Sequence, residues 1–399
     1  MFLAAAPYFQ KRFRGDDWIL AHFQSSIISV STVTNLISML ILASLQSKAS
    51  YQKRIAGALI INVVVFGLLA LSTTYFRGVS AGVYLGFVLM MVFGTALATG
   101  LIQNGAFAFA AGFGRPQYIQ AIMAGQGIAG VLPPIAQIVS VLAVPPPEPS
   151  EGVPRDTMPP PPIPPPQQSS TAAFVYFLTA AVVCITALLA FIPLVRRHNR
   201  LMESCMMESI TSIEEAERAQ RKVVGLWTLY KKLHWLAASV FMCFAVTMFF
   251  PVFTVQTVSN MPPDEAPRLF QPASFIPLAF LFWNTGDLFG RLSTLLPFSL
   301  RHRPALLFVV AVGRLGFLPL YLLCNIQGRG AVIPSDVFYL FVVQLGFGLT
   351  NGWLGSSCMM AAPEWVEDGE REATGGFMGL NLVAGLTVGS LLSFTAARP

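Results

Sequence analysis

Long apolar runs, broken by short polar or charged connectors, dominate the chain. A helix needs about 20 apolar residues to cross a bilayer core of roughly 30 Å. Beyond the connector K-R-F-R-G-D-D such runs recur, predicting full spans at roughly 19–46, 54–76, 80–113, 117–144, 171–195, 234–257, 271–297, 304–325, 335–361 and 372–396. Ahead of them Met1–Phe9 is apolar, yet as a helix it would rise only about 14 Å. It reads as the tail of a spanning helix whose front precedes Met1, with a short interfacial anchor as the alternative. The fold class that follows is all-α, a polytopic transmembrane helical bundle of ten full spans plus a partial first helix.

Two connectors stand apart. Pro145–Pro166 carries twelve of the 29 prolines, which favours an extended polyproline II spacer within a loop over 144–170. The loop over 196–233 is mixed in charge, with Glu214, Glu215 and Glu217 ahead of Arg218, Arg221 and Lys222, the pattern of a surface helix. It ends in V-V-G-L-W-T-L-Y-K-K, whose aromatic and basic residues suit a segment at the lipid interface. This loop divides the chain into an N-terminal bundle over 1–195 and a C-terminal bundle over 234–399. Such halving is what pseudo-symmetric carriers of the major-facilitator kind show, with the substrate site near the midplane between the halves.

Composition supports the membrane reading: 54% of residues are hydrophobic, 11% are charged and the mean hydropathy is +0.64, whereas soluble domains run near about 25% charged. Taking alternate loops, fifteen of the 25 lysines and arginines fall on one side and eight on the other, with Arg291 and Arg314 inside spans. The richer side is cytoplasmic by the positive-inside rule, so the C-terminus and the proline-rich loop are expected to be extracytoplasmic. No phosphate-binding G-x-x-x-x-G-K-[ST] loop occurs, so transport would run on gradients instead of ATP. The five cysteines lack C-x-x-C spacing and the four histidines lie far apart, which predicts packing cysteines, no metal and no cofactor. No nucleophile and base constellation marks an enzyme. The partners expected are a small solute and the lipid bilayer, with no nucleic acid and no obligate protein partner.

The candidate chemistry is concentrated in F-W-N-T-G-D-L-F-G-R, Phe282–Arg291. Asp287 and Arg291 are four residues apart, so a helix places both on one face. Charges at lipid depth are costly and normally face a bundle interior or a water-filled cavity, where they mark a pathway or make a packing ion pair. Arg314 is the third charge inside the spans, placed to snorkel to the cytoplasmic face or to pair across the bundle. Ser25, Ser29, Thr32 and Asn35 form one polar stripe, fit to line water or to join helices. Gln103 and Asn104 sit deep in their span among small residues, and an amide can both donate to and accept from the edge of a nitrogenous ring. Gly125, Gly127 and Gly130 are expected to permit tight packing, and Pro133 with Pro134 to bend their helix. Gly375 with Gly379, and Gly385 with Gly389, are small-xxx-small packing pairs.

Five motifs together resemble the equilibrative nucleoside transporter family: L-I-Q-N-G-A-F around Gln103, M-A-G-Q-G-I-A-G (Met123–Gly130), Phe282–Arg291, T-N-G-W-L-G-S-S-C-M (Thr350–Met359) and E-A-T-G-G-F-M-G (Glu372–Gly379). The resemblance covers nearly the whole chain. It implies an eleven-helix fold similar to the major facilitators, a cytoplasmic loop after helix six, and transport of nucleosides or nucleobases by alternating access. It also implies that Gln103 contacts the base, that Asp287 and Arg291 contact or organise the ribose hydroxyls, and that Phe280 and Asn284 line the same pocket. The family's first helix carries a proline-tryptophan-asparagine motif where this chain begins, so its base-contacting residues are expected to be missing and transport weakened if Met1 is the true start. The alternatives are a sugar carrier of the same fold and a non-transporting membrane protein such as a receptor. The sequence leaves open whether transport is facilitative or proton-coupled, and whether the membrane is the plasma membrane or that of a vacuole-like or lysosome-like organelle.

Overall fold

The computed structural model describes residues 6–45, 50–76, 78–143, 170–205, 224–262, 266–297 and 299–396. The front set of helices comprises α1 (Ala6–Arg12), α2 (Asp17–Ser44), α3 (Tyr51–Tyr75), α4 (Ala81–Gly112), α5 (Pro116–Ala143) and α6 (Ser170–Cys205). The rear set comprises α7 (Leu226–Thr247), α8 (Phe249–Thr254), α9 (Pro272–Ser293), α10 (Pro304–Gly313), α11 (Phe317–Leu322), α12 (Gly346–Ala361) and α13 (Arg371–Ala396). Among the described residues the only β pairing is an isolated bridge between Thr257 and Ile326.

Local chemistry sets several boundaries. Asp16 caps α2 by accepting from the Ile19 amide at 3.0 Å, satisfying one of the donors left open at a helix start. α4 ends at Gly112; two residues on, Gly114 turns the chain with a φ of +63°, a left-handed conformation open to glycine, and Pro116 starts α5. Pro272 occupies the first turn of α9, where its missing N–H is no loss. Pro133 and Pro134 lie inside α5 without ending it.

Among the described residues, eight helical segments are long and apolar enough to cross a membrane. The other two expected spans, 271–297 and 335–361, are helical as well. α9 is diluted by Asn284, Asp287 and Arg291, and the second is divided into a π-helix over Phe338–Leu345 followed by α12. Similarly, 304–325 becomes α10, a 3₁₀ turn over Arg314–Gly316 and α11. α7 begins at Leu226, so the segment expected to lie along the interface is the first turns of a spanning helix. Nothing between Trp227 and Trp235 breaks a helix, and Lys232 is satisfied by an ion pair of 2.7 Å with Glu370. α6 runs on past 195 to Cys205. The proline-rich loop and the charged stretch Glu214–Lys222 lie outside the described residues.

α1 is built into the interior. Phe9 and Phe13 are fully buried, Phe9 meets Phe177 of α6 at 6.3 Å, and Tyr8 bonds Tyr84 of α4 through their hydroxyls. Within the front set α2 and α3 pack on α4, and α6 on α3; in the rear set α9 packs on α12, and α7 on α10, α12 and α13. The sets meet where α5 packs on α9 and where α4 and α2 pack on α13. The two glycine pairs of α13 divide that work. A Cβ at Gly375 would collide with the Phe107 carbonyl of α4, whereas Cβ atoms at Gly385 and Gly389 would collide with the carbonyls of Phe241 and Ala245 on α7. At about 100° per residue the pairs lie on different faces, so one helix approaches both sets closely.

Candidate functional site

α9 owes its position to reciprocal glycine packing. Cβ atoms at Gly286 and Gly290 would run into the carbonyls of Leu345 and Leu349, and Cβ atoms at Gly348 and Gly352 into those of Trp283 and Asp287. Removing four side chains from the seam lets the backbones touch, which in lipid is a principal source of helix affinity. The contact also fixes register, and it brings Asn351 of α12 opposite Asp287 of α9. The π-helix ends just before α12, and such irregular turns shift the register of the helix that follows and occur often at functional sites.

Asp287 and Arg291 are 4% and 6% exposed, so they face the interior and not lipid. Arg291 Nε donates to Asp287 Oδ2 at 2.6 Å, and Asn351 Nδ2 donates to the other carboxylate oxygen at 2.7 Å. Arg291 Nη1 reaches across to α5, donating to the Met123 carbonyl at 2.9 Å and to Gln126 Oε1 at 3.2 Å. Asn351 Oδ1 in turn accepts from the Thr247 hydroxyl at 2.6 Å and the Cys243 thiol at 3.4 Å. A continuous polar chain therefore runs from α5 through α9 and α12 to α7. Paired and bonded in this way, buried charges escape most of the cost of burial.

Arg314 ends the chain. It is 2% exposed, donates to the Cys243 carbonyl at 2.6 Å and to the Thr247 hydroxyl at 3.2 Å, and lies over the Phe347 ring at 4.7 Å. It crosses the bundle and does not snorkel to the surface. Neutral acceptors and an aromatic face solvate the guanidinium, a role its planar fork suits.

The sequence-predicted residues divide. Phe280, Asn284, Asp287 and Arg291 share the α9 face that meets α5. Asn284 donates to the Phe280 carbonyl at 2.8 Å, and a Cβ at Gly130 would stand 2.5 Å from Asn284 Oδ1. Phe280 packs edge to face on Phe250 at 5.0 Å. Gln103 is half-buried on α4, and no hydrogen bond joins its amide to another described residue, so it stands outside the chain around Asp287. Its neighbour Asn104 is buried and accepts from Arg54, which also binds the Leu45 carbonyl at the end of α2. Ser25 and Ser29 are exposed and bond no other helix among the described residues.

One packing expectation needs correction. Gly127 lies against Leu288 and Arg291 of α9, but around Gly125 nothing comes within 4 Å of an added Cβ. Gly127 and Gly130 are three residues apart and share a face, whereas two residues turn Gly125 by about 200° away from it. Gly379 packs against Met39 of α2. The reading of single residues missed Asn351, Thr247, Cys243 and Gln126; Asn351 and Gln126 lie within quoted motifs, but no spacing within one helix reveals a partner on another.

Comparison with known proteins agrees with this architecture. A family model described as "Nucleoside transporter" matches residues 89–397. The chain is 28% identical to the nucleoside transporter FUN26 of Saccharomyces cerevisiae, covering 98% of this chain and 80% of that protein. It is 27% identical to human equilibrative nucleoside transporter 1, over 92% and 81% of the two chains. Among solved structures, the Escherichia coli fucose:proton symporter FucP aligns with a TM-score of 0.55 at 13% identity, over 99% of this chain and 90% of that one. The human organic anion transporter MFSD10 aligns at 0.57 and 11%, over 99% and 89%. These structural likenesses establish the major-facilitator fold, and the family match establishes descent: the chain belongs to the nucleoside transporter family, whose members are multi-pass membrane transporters.

Proposed function

We propose that the protein carries nucleosides, with nucleobases as a second substrate class, across its membrane by rocking the front helix set, α1–α6, against the rear set, α7–α13. The observation that carries this reading is the Asp287–Arg291 pair, held in the interior exactly where α9 meets α5. A carboxylate accepts from sugar hydroxyls and a guanidinium donates to ribose oxygens. Gln103, whose amide has both a donor and an acceptor unspent, reads the base, and Phe280 and Asn284 line the pocket.

Binding couples to motion through Arg291. Its Nη1 tie to Met123 and Gln126 spans the junction of the two sets. A ribose that takes over these donors loosens α9 from α5 while its own hydroxyls join the two sides. A solute can shift the equilibrium between states only by its differential affinity for them, and a cross-junction arginine supplies such a difference. The charge bias of the loops supports an extracytoplasmic C-terminus.

Uptake of labelled uridine and adenosine into proteoliposomes tests the reading. Asp287→Asn and Arg291→Ala should each reduce uptake by more than tenfold while the protein stays monodisperse. Gln103→Ala should raise the KM. Equal uptake by the wild type and all three variants would refute the site.

A further inference from the structure

We infer that the backbone carbonyl of Gly130 is a substrate contact, an acceptor for the 5′-hydroxyl of a nucleoside whose vicinal hydroxyls lie at Asp287 and Arg291. The inference rests on the ribose placement proposed above. In a helix a carbonyl accepts from the N–H four residues on, or from the one three residues on in a tighter turn. For Gly130 those positions are Pro134 and Pro133, and proline has no N–H. α5 nevertheless runs unbroken through both, so Gly130 keeps its helical place without either ladder donor. No side chain among the described residues donates to its carbonyl, and the amide of the adjoining Asn284 is spent on the Phe280 carbonyl at 2.8 Å.

Depth determines what this acceptor can meet. α5 spans Pro116–Ala143, which puts Gly130 at its middle. There an unpaired carbonyl is tolerated only where it is buried in protein or lines a water-filled cavity. The surface of α5 divides accordingly. Ile128 and Leu132 belong to an exposed apolar stripe that suits lipid, Gly127 and Pro134 are buried on the α9 side, and Gln126 and Gln137 are exposed on a third, polar side. At about 100° per residue Gly130 lies on the border between the buried side and the polar one, half-buried and beside Asn284. Its carbonyl therefore faces the solute path.

Distance and charge narrow the ligand group. Gly127 lies against Arg291, and the three residues from there to Gly130 rise about 4.5 Å, with the carbonyl pointing on along the helix. Vicinal hydroxyls held at Asp287 and Arg291, and a base directed to Gln103 on α4, leave the 5′-hydroxyl at the opposite end of the sugar to face that oxygen. A cation fits poorly, because the Arg291 guanidinium is about one helical turn away and Asp287 is already matched by Arg291 and Asn351.

Uptake of labelled uridine and 5′-deoxyuridine into proteoliposomes holding the full chain tests the contact. The wild type should show a KM about fivefold lower for uridine, the size of one neutral hydrogen bond. Pro134→Ala supplies the missing N–H, which occupies the Gly130 carbonyl. The preference should then fall to near one through a higher KM for uridine, with little change for 5′-deoxyuridine and a melting temperature that holds or rises. Pro134→Val, closer to proline in bulk, should do the same, since the N–H is what acts and not the side chain. Pro133→Ala, whose N–H falls to the Ala129 carbonyl, should retain the preference. A wild type indifferent to the 5′-hydroxyl, Pro134 variants that change both substrates equally, or a Pro133 variant that loses the preference as fully, would overturn the assignment and leave the proline pair as a bend alone. Asp287→Asn separates this contact from the placement it rests on: if that variant loses uptake of both substrates, the ribose site stands even where the 5′ contact fails, whereas unchanged uptake removes both.

Discussion

Asn351→Ala removes the donor that holds one oxygen of Asp287 and, on the same side chain, the acceptor shared by Thr247 and Cys243. Arg291 would then be the remaining side-chain partner of the carboxylate, which at 4% exposure has little access to water. Hydrogen bonds to charged groups contribute about 1.5–3 kcal/mol, and orphaning a buried charged acceptor lies at the upper end. At about 2–3 kcal/mol, and 1.4 kcal/mol per factor of ten, transport efficiency should fall roughly 30- to 150-fold. Initial uptake of labelled uridine into proteoliposomes, measured over a range of concentrations, reads this directly. Size-exclusion behaviour separates a positioning defect from failure to fold. Asn351→Asp is the sharper variant: it keeps the size and the acceptor for Thr247 but sets a carboxylate against a carboxylate, so it should transport less well than Asn351→Ala. If Asn351→Ala retains wild-type uptake, or if Asn351→Asp outperforms it, Asp287 does not need positioning from α12 and the coupling of register to site is wrong.

Three further predictions follow from close packing and from the buried arginine. Gly352→Ala places a methyl against the Asp287 carbonyl; backbone cannot yield as a side chain does, so overpacking of about 1–3 kcal/mol should lower the melting temperature in detergent. On α5, Gly130→Ala should displace Asn284 and reduce uptake severalfold, whereas Gly125→Ala, with nothing within 4 Å, should leave uptake unchanged; equal effects in the same uptake assay would refute the assigned face. Arg314→Lys retains the charge but cannot reach Cys243, Thr247 and the Phe347 face together, so a clear fall in melting temperature is expected, and an unchanged value would show that charge alone matters there.

The Asp287–Arg291 pair was legible in the sequence because charges at lipid depth are rare, and a spacing of four fixes them on one helical face whatever the fold around them. The ten spans were legible for a related reason, since bilayer thickness imposes a length on each apolar run. Asn351, Thr247 and Cys243 were not legible as partners. Amides, hydroxyls and thiols are ordinary in spanning helices, and which of them meets a given carboxylate depends on the register between helices. That register is set here by the glycines of α9 and α12 sinking into each other's backbones, and by a π-helix that turns α12 before Asn351 is reached. Arg314 shows the same division. Its cost at lipid depth was evident from sequence, but its direction, across to α7 instead of out to the headgroups, depended on a carbonyl and a hydroxyl from α7 and a ring from α12. Periodicity within a helix is a property of the chain itself, whereas contact between helices is decided only when their surfaces compete to exclude lipid from one another.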